Sequence, residues 1–170
     1  DMSPGTITVR HSSATKPSVM IPGLATEWKV DEADKKKWTF KLRPGVTFHD
    51  GSPFNADAVV ATVTWLTTQA GRASAVGAET RELAGATKID DLTVDIRTTQ
   101  PDPLLLNRLS MVLIVEPKAW AAGGPQEFAK APVGTGPFRL ESFGPGAANL
   151  VAHTRAWRKP RVQKLRVLEL

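Results

Sequence analysis

The segment Trp38-Thr39-Phe40-Lys41-Leu42-Arg43 constrains the chain most. Its apolar and polar side chains alternate strictly, the period of a strand with one face buried and one face wet. Such a strand cannot stand alone: its apolar face needs a cover and its edges need partners. Both are close by in sequence. Upstream, Leu24, Trp28 and Val30 alternate more roughly, and the charged run over residues 31–37 reads as a solvated connection. An antiparallel pair is predicted. Downstream, Pro44-Gly45 and Asp50-Gly51-Ser52-Pro53 punctuate turns. Asn55 then suits an N-cap, and Asp57 suits the positive end of the following helix dipole. Ala56, Val59, Val63 and Leu66 would share one face of that helix.

Further along, residues 69–83 are rich in Ala, Gly and Ser and read as a loop, with a short helical piece over 78–83. Leu92, Val94 and Ile96 alternate with polar residues and predict a strand, after a short strand ending near Lys88. Pro101-Asp102-Pro103 opens a helix over 104–109. The unbroken apolar run 111–115 reads as a buried strand. A helical turn at 117–120 is ended by Gly123-Gly124, and 125–130 can form another. Turn-formers crowd residues 131–137, a shaped connector and candidate boundary. Strands are predicted over 138–142 and 149–153, joined by Gly144-Pro145-Gly146, and over 162–168. At the start, Thr6-Ile7-Thr8-Val9 has strand propensity.

Little in the chain suggests catalysis. There is no Cys, hence no disulfide and no thiolate ligand or nucleophile. His11, His49 and His153 lack the spacing of a metal site, and His49 reads as a turn or surface residue. Asp90 and Asp91 are adjacent and point apart in a turn, so they do not form an acid–base pair. Gly134-Thr135-Gly136 is followed by Pro137 and a strand, so it fits neither a Walker nor a Rossmann phosphate loop. No catalytic residue, metal site or cofactor is predicted. Trp28 and Trp38 fall on the inward alternation of strands and read as core. The formal charge of +5 leaves a basic nucleic-acid-binding module as the alternative class. The cations fall mainly in Lys35-Lys36-Lys37 and between residues 155 and 166, which reads as solvated surface. Aromatics are 6% with no Tyr, poor material for stacking bases, so no nucleic-acid partner is expected. No apolar run approaches the roughly 20 residues that span a bilayer. With no initiating Met and no apolar leader region, the chain is expected to be a mature or trimmed product.

Read in order, the residues resemble a known family. The pattern LA-x-x-W-x-V, then W-T-F-K-L-R-x-G-V-x-F-H-D-G-x-P-F-x-A-x-x-V, is similar to that of extracytoplasmic solute-binding proteins of the peptide/nickel ABC-transporter family. The likeness continues in Thr87-Lys88-Ile89-Asp90-Asp91-Leu92-Thr93-Val94, in Pro132-Val133-Gly134-Thr135-Gly136-Pro137-Phe138 and in Trp157-Arg158-Lys159-Pro160. It implies an α+β fold with mixed β-sheets and flanking helices, part of a two-lobed receptor that closes on its ligand. It implies that 16–132 form an inserted smaller domain, that 1–15 and 133–170 belong to the ligand-binding lobe, and that the second lobe is absent. It also implies a first helix over 4–15. Met2, Ser3 and Pro4 match the ligand-touching loop, through backbone groups and the Ser hydroxyl. A plain helix cap by Ser3 is equally open. The implied partners are a small solute, peptide foremost, and an ABC permease; the implied location is periplasmic or otherwise extracytoplasmic. Open edges on the strands after residue 138 would favour self-association of the truncated lobe.

Overall fold

The computed structural model describes residues 6–13 and 16–168. Contacts divide the chain into two compact units. One holds Gly5–Pro44 and Asn55–Ile114; the other holds Gly45–Phe54 and Val115–Leu170. Residues 45–54 and 115–132, which the resemblance places in the domain 16–132, thus fall in one unit with residues 133–168.

The first unit is built on the predicted hairpin. Strands β3 (Ala25–Val30) and β4 (Lys37–Leu42) pair antiparallel, with Trp28 opposite Phe40 and Val30 opposite Trp38. Strands β5 (Leu83–Asp90) and β6 (Thr93–Thr98) complete an antiparallel sheet of order β3-β4-β6-β5. Register sets Phe40 opposite Val94 and Trp38 opposite Ile96, so the apolar alternation of three strands falls on one face. Phe40, Val94 and Ile96 are fully buried there, while the two Trp rings are half-buried. The opposite face carries Thr39, whose hydroxyl donates to Asp95 at 2.6 Å, and Lys41, which donates to Thr93 at 2.8 Å.

Helix α1 (Ala56–Thr67) packs on β5 and β6. The Asn55 side chain caps it, accepting the Asp57 N–H at 3.1 Å. Ala56, Val59, Val63 and Leu66 are buried as the spacing predicts, each larger side chain contributing roughly 1.5–3 kcal/mol.

A hairpin of β1 (Thr8–Ser13) and β2 (Lys16–Pro22) precedes the sheet. The helix implied over 4–15 is therefore overturned across 8–13, where the backbone is extended and paired. Strand propensity at Thr8 and Val9 prevails.

Residues 69–83 are not a loop. They form α2 (Gln69–Ala73) and α3 (Ala75–Glu79), and β5 already starts at Leu83. Each joint turns on a hydroxyl with two bonds. Thr68 Oγ1 donates to Trp65 O at 2.7 Å and accepts Gly71 N–H at 3.0 Å. Ser74 Oγ donates to Gly71 O at 2.6 Å and accepts Gly77 N–H at 3.0 Å. A Cβ on Gly71 would lie 2.0 Å from Trp65 O, and one on Gly77 would lie 1.8 Å from Gly71 O. Only glycine lets the chain turn this tightly.

After α4 (Leu105–Leu109), the run 111–115 is not a strand. Its only pairing among the described residues is an isolated bridge from Leu113 to Thr6. Val112 and Ile114 are buried, whereas Met111 and Leu113 are 45% and 57% exposed. The run is apolar on both sides, but the unit covers only one of them.

In the second unit the 45–54 segment is joined by α5 (Pro117–Lys130), capped by the buried Glu116 carboxylate on Ala119 N–H at 2.6 Å. It breaks where the two glycines predict, at Gly124 with φ 64° and ψ −167°, ahead of Pro125. Strands β7 (Phe138–Gly144), β8 (Ala147–Ala152) and β9 (Lys164–Leu168) form an antiparallel sheet in that order. Leu140, Leu150 and Leu165 stand in one cross-strand row, and Phe143, Ala148 and Val167 in another. The expected α+β class holds: among the described residues every named strand pair is antiparallel, and the helices fall between runs of strands.

Candidate functional site

Met2, Ser3 and Pro4, the residues matched to a ligand-touching loop, lie outside the described residues. Two surfaces, one in each unit, have the shape and chemistry of binding sites.

The first unit offers the surface around α4. Leu104 is 52% exposed, beside the exposed Met111 and Leu113. A cleft of about 460 Å³ opens among Leu104, Met111, Asn107, Ser110, Arg108 and Glu79. Its frame is fixed by Arg108, whose Nη1 donates to Glu79 O at 2.6 Å and whose Nε lies 2.9 Å from the buried Asp102 carboxylate. That guanidinium holds the wall together. Ser110 Oγ donates to Asn107 O at 2.6 Å. An apolar floor with a few fixed polar groups is suited to receive a side chain of a solute. The signal in sequence was the apolar run itself, read there as core.

The second unit is organised around His49. The Phe48–Gly51 turn closes through Gly51 N–H to Phe48 O at 3.0 Å. His49 is not a loose turn residue: its N–H donates to Gly134 O at 2.9 Å, and both ring nitrogens are used. Nδ1 accepts Gly134 N–H at 3.2 Å, and Nε2 meets Gly136 O at 3.0 Å. Because Nδ1 accepts, the proton sits on Nε2 and is donated to Gly136. Gly134-Thr135-Gly136 therefore grips an imidazole rather than a phosphate. His153 packs edge-on against the His49 ring, centroids 5.2 Å apart, and is anchored by its N–H to Pro137 O at 2.8 Å. Burial holds both imidazoles below their usual basicity, and Arg139 acts on both in the same direction. For His153 the His49 ring and Arg155 add to that effect.

Pro137 also begins the wall of a second cleft, of about 410 Å³, which Phe138, Val162 and Leu165 continue as apolar lining. Arg158, Lys159 and Arg161 supply its charge. Among the described residues no group of three or more His, Asp or Glu side chains is arranged to hold a metal ion. Asp90 and Asp91 behave as turn residues: Asp90 accepts Leu92 N–H at 2.8 Å and Asp91 pairs with Lys88 at 2.7 Å.

The comparisons with known proteins agree on one family. The model of bacterial extracellular solute-binding proteins, family 5 (middle region), matches residues 19–168. The dipeptide-binding protein of Escherichia coli K12 is 33% identical over 146 residues, which is 73% of this chain and 27% of that protein. A transcriptional regulator of the HTH type, SgrR of Salmonella typhi, is 31% identical over 121 residues, 68% of this chain and 19% of its own length. Among solved structures, the binding protein MoaA of Agrobacterium tumefaciens R10, in complex with mannopinic acid, superposes with a TM-score of 0.86 at 30% identity. That match covers 99% of this chain and 35% of the other. The chain thus spans about a quarter to a third of the length of the relatives it matches. Those relatives include binding proteins of ABC transporters, which are not enzymes. With the family model covering all but its two ends, the chain belongs to the bacterial extracellular solute-binding proteins of family 5.

Proposed function

We propose that the protein is the substrate-binding component of an ABC importer, capturing peptides or a related small solute outside the cytoplasmic membrane and delivering it to the permease. The observation that carries this is the family match over 19–168, together with the 33% identity to a dipeptide-binding protein. The exposed apolar residues around α4, framed by the Arg108 ties, support it as a surface prepared for a solute. In this reading residues 16–132 are largely the inserted smaller domain, and 1–15 with 133–170 contribute to the ligand-binding lobe. Met2, Ser3 and Pro4 meet the solute, through backbone groups and a hydroxyl suited to a peptide main chain.

The test is a thermal-shift screen of the full-length protein against dipeptides, tripeptides, opine-like acids and metal chelates. A ligand at about 100 times its Kd adds about 2.7 kcal/mol, enough to shift the midpoint by a few degrees. Peptides are expected to raise it, and the protein is expected in the extracytoplasmic fraction. A midpoint unmoved by every class would overturn the receptor reading. A second reading follows from the SgrR match, in which this module senses a solute within a regulator. A cytoplasmic protein that shifts with a solute and retards DNA would favour it.

A further inference from the structure

We infer that Met111 is a site of reversible oxidation, where a hydroperoxide turns one wall of the α4 cleft from apolar to polar and weakens capture of apolar side chains. The modification stands on the chemistry and geometry of the chain alone; its effect on capture rests on the receptor reading.

The sulfur inventory is the first argument. The chain has no Cys and three Met, namely Met2, Met20 and Met111. A peroxide that meets this protein finds no thiolate, so the thioethers are its sulfur targets. Met2 lies outside the described residues. Met20 is half-buried in β2, which pairs with β1. Met111 is exposed. Susceptibility follows exposure, so Met111 should react ahead of Met20.

Backbone direction is the second argument. After α4 the chain is held by Met111 N–H to Arg108 O at 3.1 Å and by Val112 N–H to Leu109 O at 3.2 Å. With Val112 and Ile114 taken into the core, Met111 and Leu113 are turned out of it. Hiding the thioether would draw Val112 out of its buried place.

The third argument is what the reaction does where Met111 sits. Met111 and Leu104 are the apolar members of the cleft lining. The sulfur takes one oxygen atom and is oxidised by two electrons to the sulfoxide. The O–O bond breaks, and the other peroxide oxygen leaves as water or an alcohol. A sulfoxide oxygen is a polar acceptor, and covering it with an apolar side chain strips its water without replacing the bond. Half of the apolar floor is thereby lost. The frame is untouched, since Arg108 keeps its ties to Asp102 and to Glu79 O. A methionine sulfoxide reductase supplied with a dithiol reverses the change: the dithiol becomes a disulfide and the oxygen leaves as water.

The test exposes full-length protein to hydrogen peroxide and reads oxygen gain at each Met by peptide mass spectrometry. Leu-Leu and Ala-Ala are titrated calorimetrically before and after. Met111 is expected to oxidise at least about fivefold faster than Met20, with the thermal midpoint little changed. Leu-Leu affinity should fall about tenfold and Ala-Ala affinity by less than about threefold, and reductase with dithiothreitol should restore both. By linkage, saturating Leu-Leu should slow oxidation of Met111. In Met111→Leu the Leu-Leu affinity should be the same before and after peroxide, which separates Met111 from Met2. Met20→Leu should lose affinity on oxidation as wild type does. Met111 oxidised no faster than Met20 would overturn the site. A protein that binds Leu-Leu equally well with Met111 oxidised would overturn the effect on capture. If neither peptide binds the untreated protein, the capture claim falls with the receptor reading, and the rates at Met111 and Met20 decide the modification by themselves.

Discussion

Replacing His49 with alanine removes the ring that ties the Phe48–Gly51 turn to the 134–136 segment. Two bonds go: Gly134 N–H to Nδ1 at 3.2 Å and Nε2–H to Gly136 O at 3.0 Å. Each is worth ~0.5–1.5 kcal/mol net, and a backbone group left bare when buried costs ~1–3 kcal/mol. Both glycines are only half-buried, so water can reach part of what is exposed. The backbone bond from His49 N–H to Gly134 O also survives. The expected loss is about 1.5–3 kcal/mol. Acid should weaken the same tie. A proton on Nδ1 would face the Gly134 N–H, donor against donor. Burial, the largest cause, holds the folded pKa of His49 and of His153 below 6.5. The unfolded chain therefore binds more protons between the folded value and about 6.5. Stability is fully present above about pH 6.5 and is lost as pH falls through the folded pKa. The charges to consider on every side are Asp50, Arg139, Arg155, Lys159 and the two rings themselves. Urea unfolding, with exchange of the Gly134 amide corrected for intrinsic rate, reads both effects. Wild type should lose protection at Gly134 on acidification. His49→Ala should lack it throughout and show a shallower pH dependence, the remainder belonging to His153. A variant within about 0.3 kcal/mol of wild type, or Gly134 protection indifferent to pH, would refute the reasoning.

Two more substitutions test the first unit. Asn55→Ala should cost about 1 kcal/mol in urea unfolding through loss of the α1 cap, while Asn55→Asp should cost far less. Phe40→Ala, at a fully buried site between Trp28 and Val94 in the sheet register, should cost about 3–5 kcal/mol, and a calorimetric midpoint lowered by under about 5 °C would contradict that packing.

What could be read in the sequence was whatever one local rule dictates. The alternation at 38–43 announces β4, Asn55 announces the start of α1, and Gly123-Gly124 announces the break in α5. What was missed depends on partners. The run 111–115 shows that residues are apolar but not that only one side has a core to enter. The role of His49 depends on Gly134 and Gly136, which turn chemistry around Asp50-Gly51 gives no hint of. Helices α2 and α3 are too short for a 3.6-residue period to register, so only their caps could have marked them. Thr68-Gln69-Ala70-Gly71 and Ser74-Ala75-Val76-Gly77 each set a hydroxyl three residues before a glycine, and that was the available signal. The match of Met2, Ser3 and Pro4 to a ligand-touching loop rested on resemblance alone, because three residues carry little pattern of their own.

Those two hydroxyl–glycine joints recur at a fixed interval, from Thr68 to Ser74 and from Gly71 to Gly77. Surface connections usually tolerate insertions of many lengths, because closing a longer loop costs little. This stretch is different, since its length is counted out in whole steps. An added step that repeats the hydroxyl and the glycine in place would hand the chain on to one more short helix. Any other insertion would bring a Cβ against a carbonyl where Gly71 and Gly77 now pass. Natural variants and engineered insertions between α1 and β5 should therefore lengthen the segment in discrete increments.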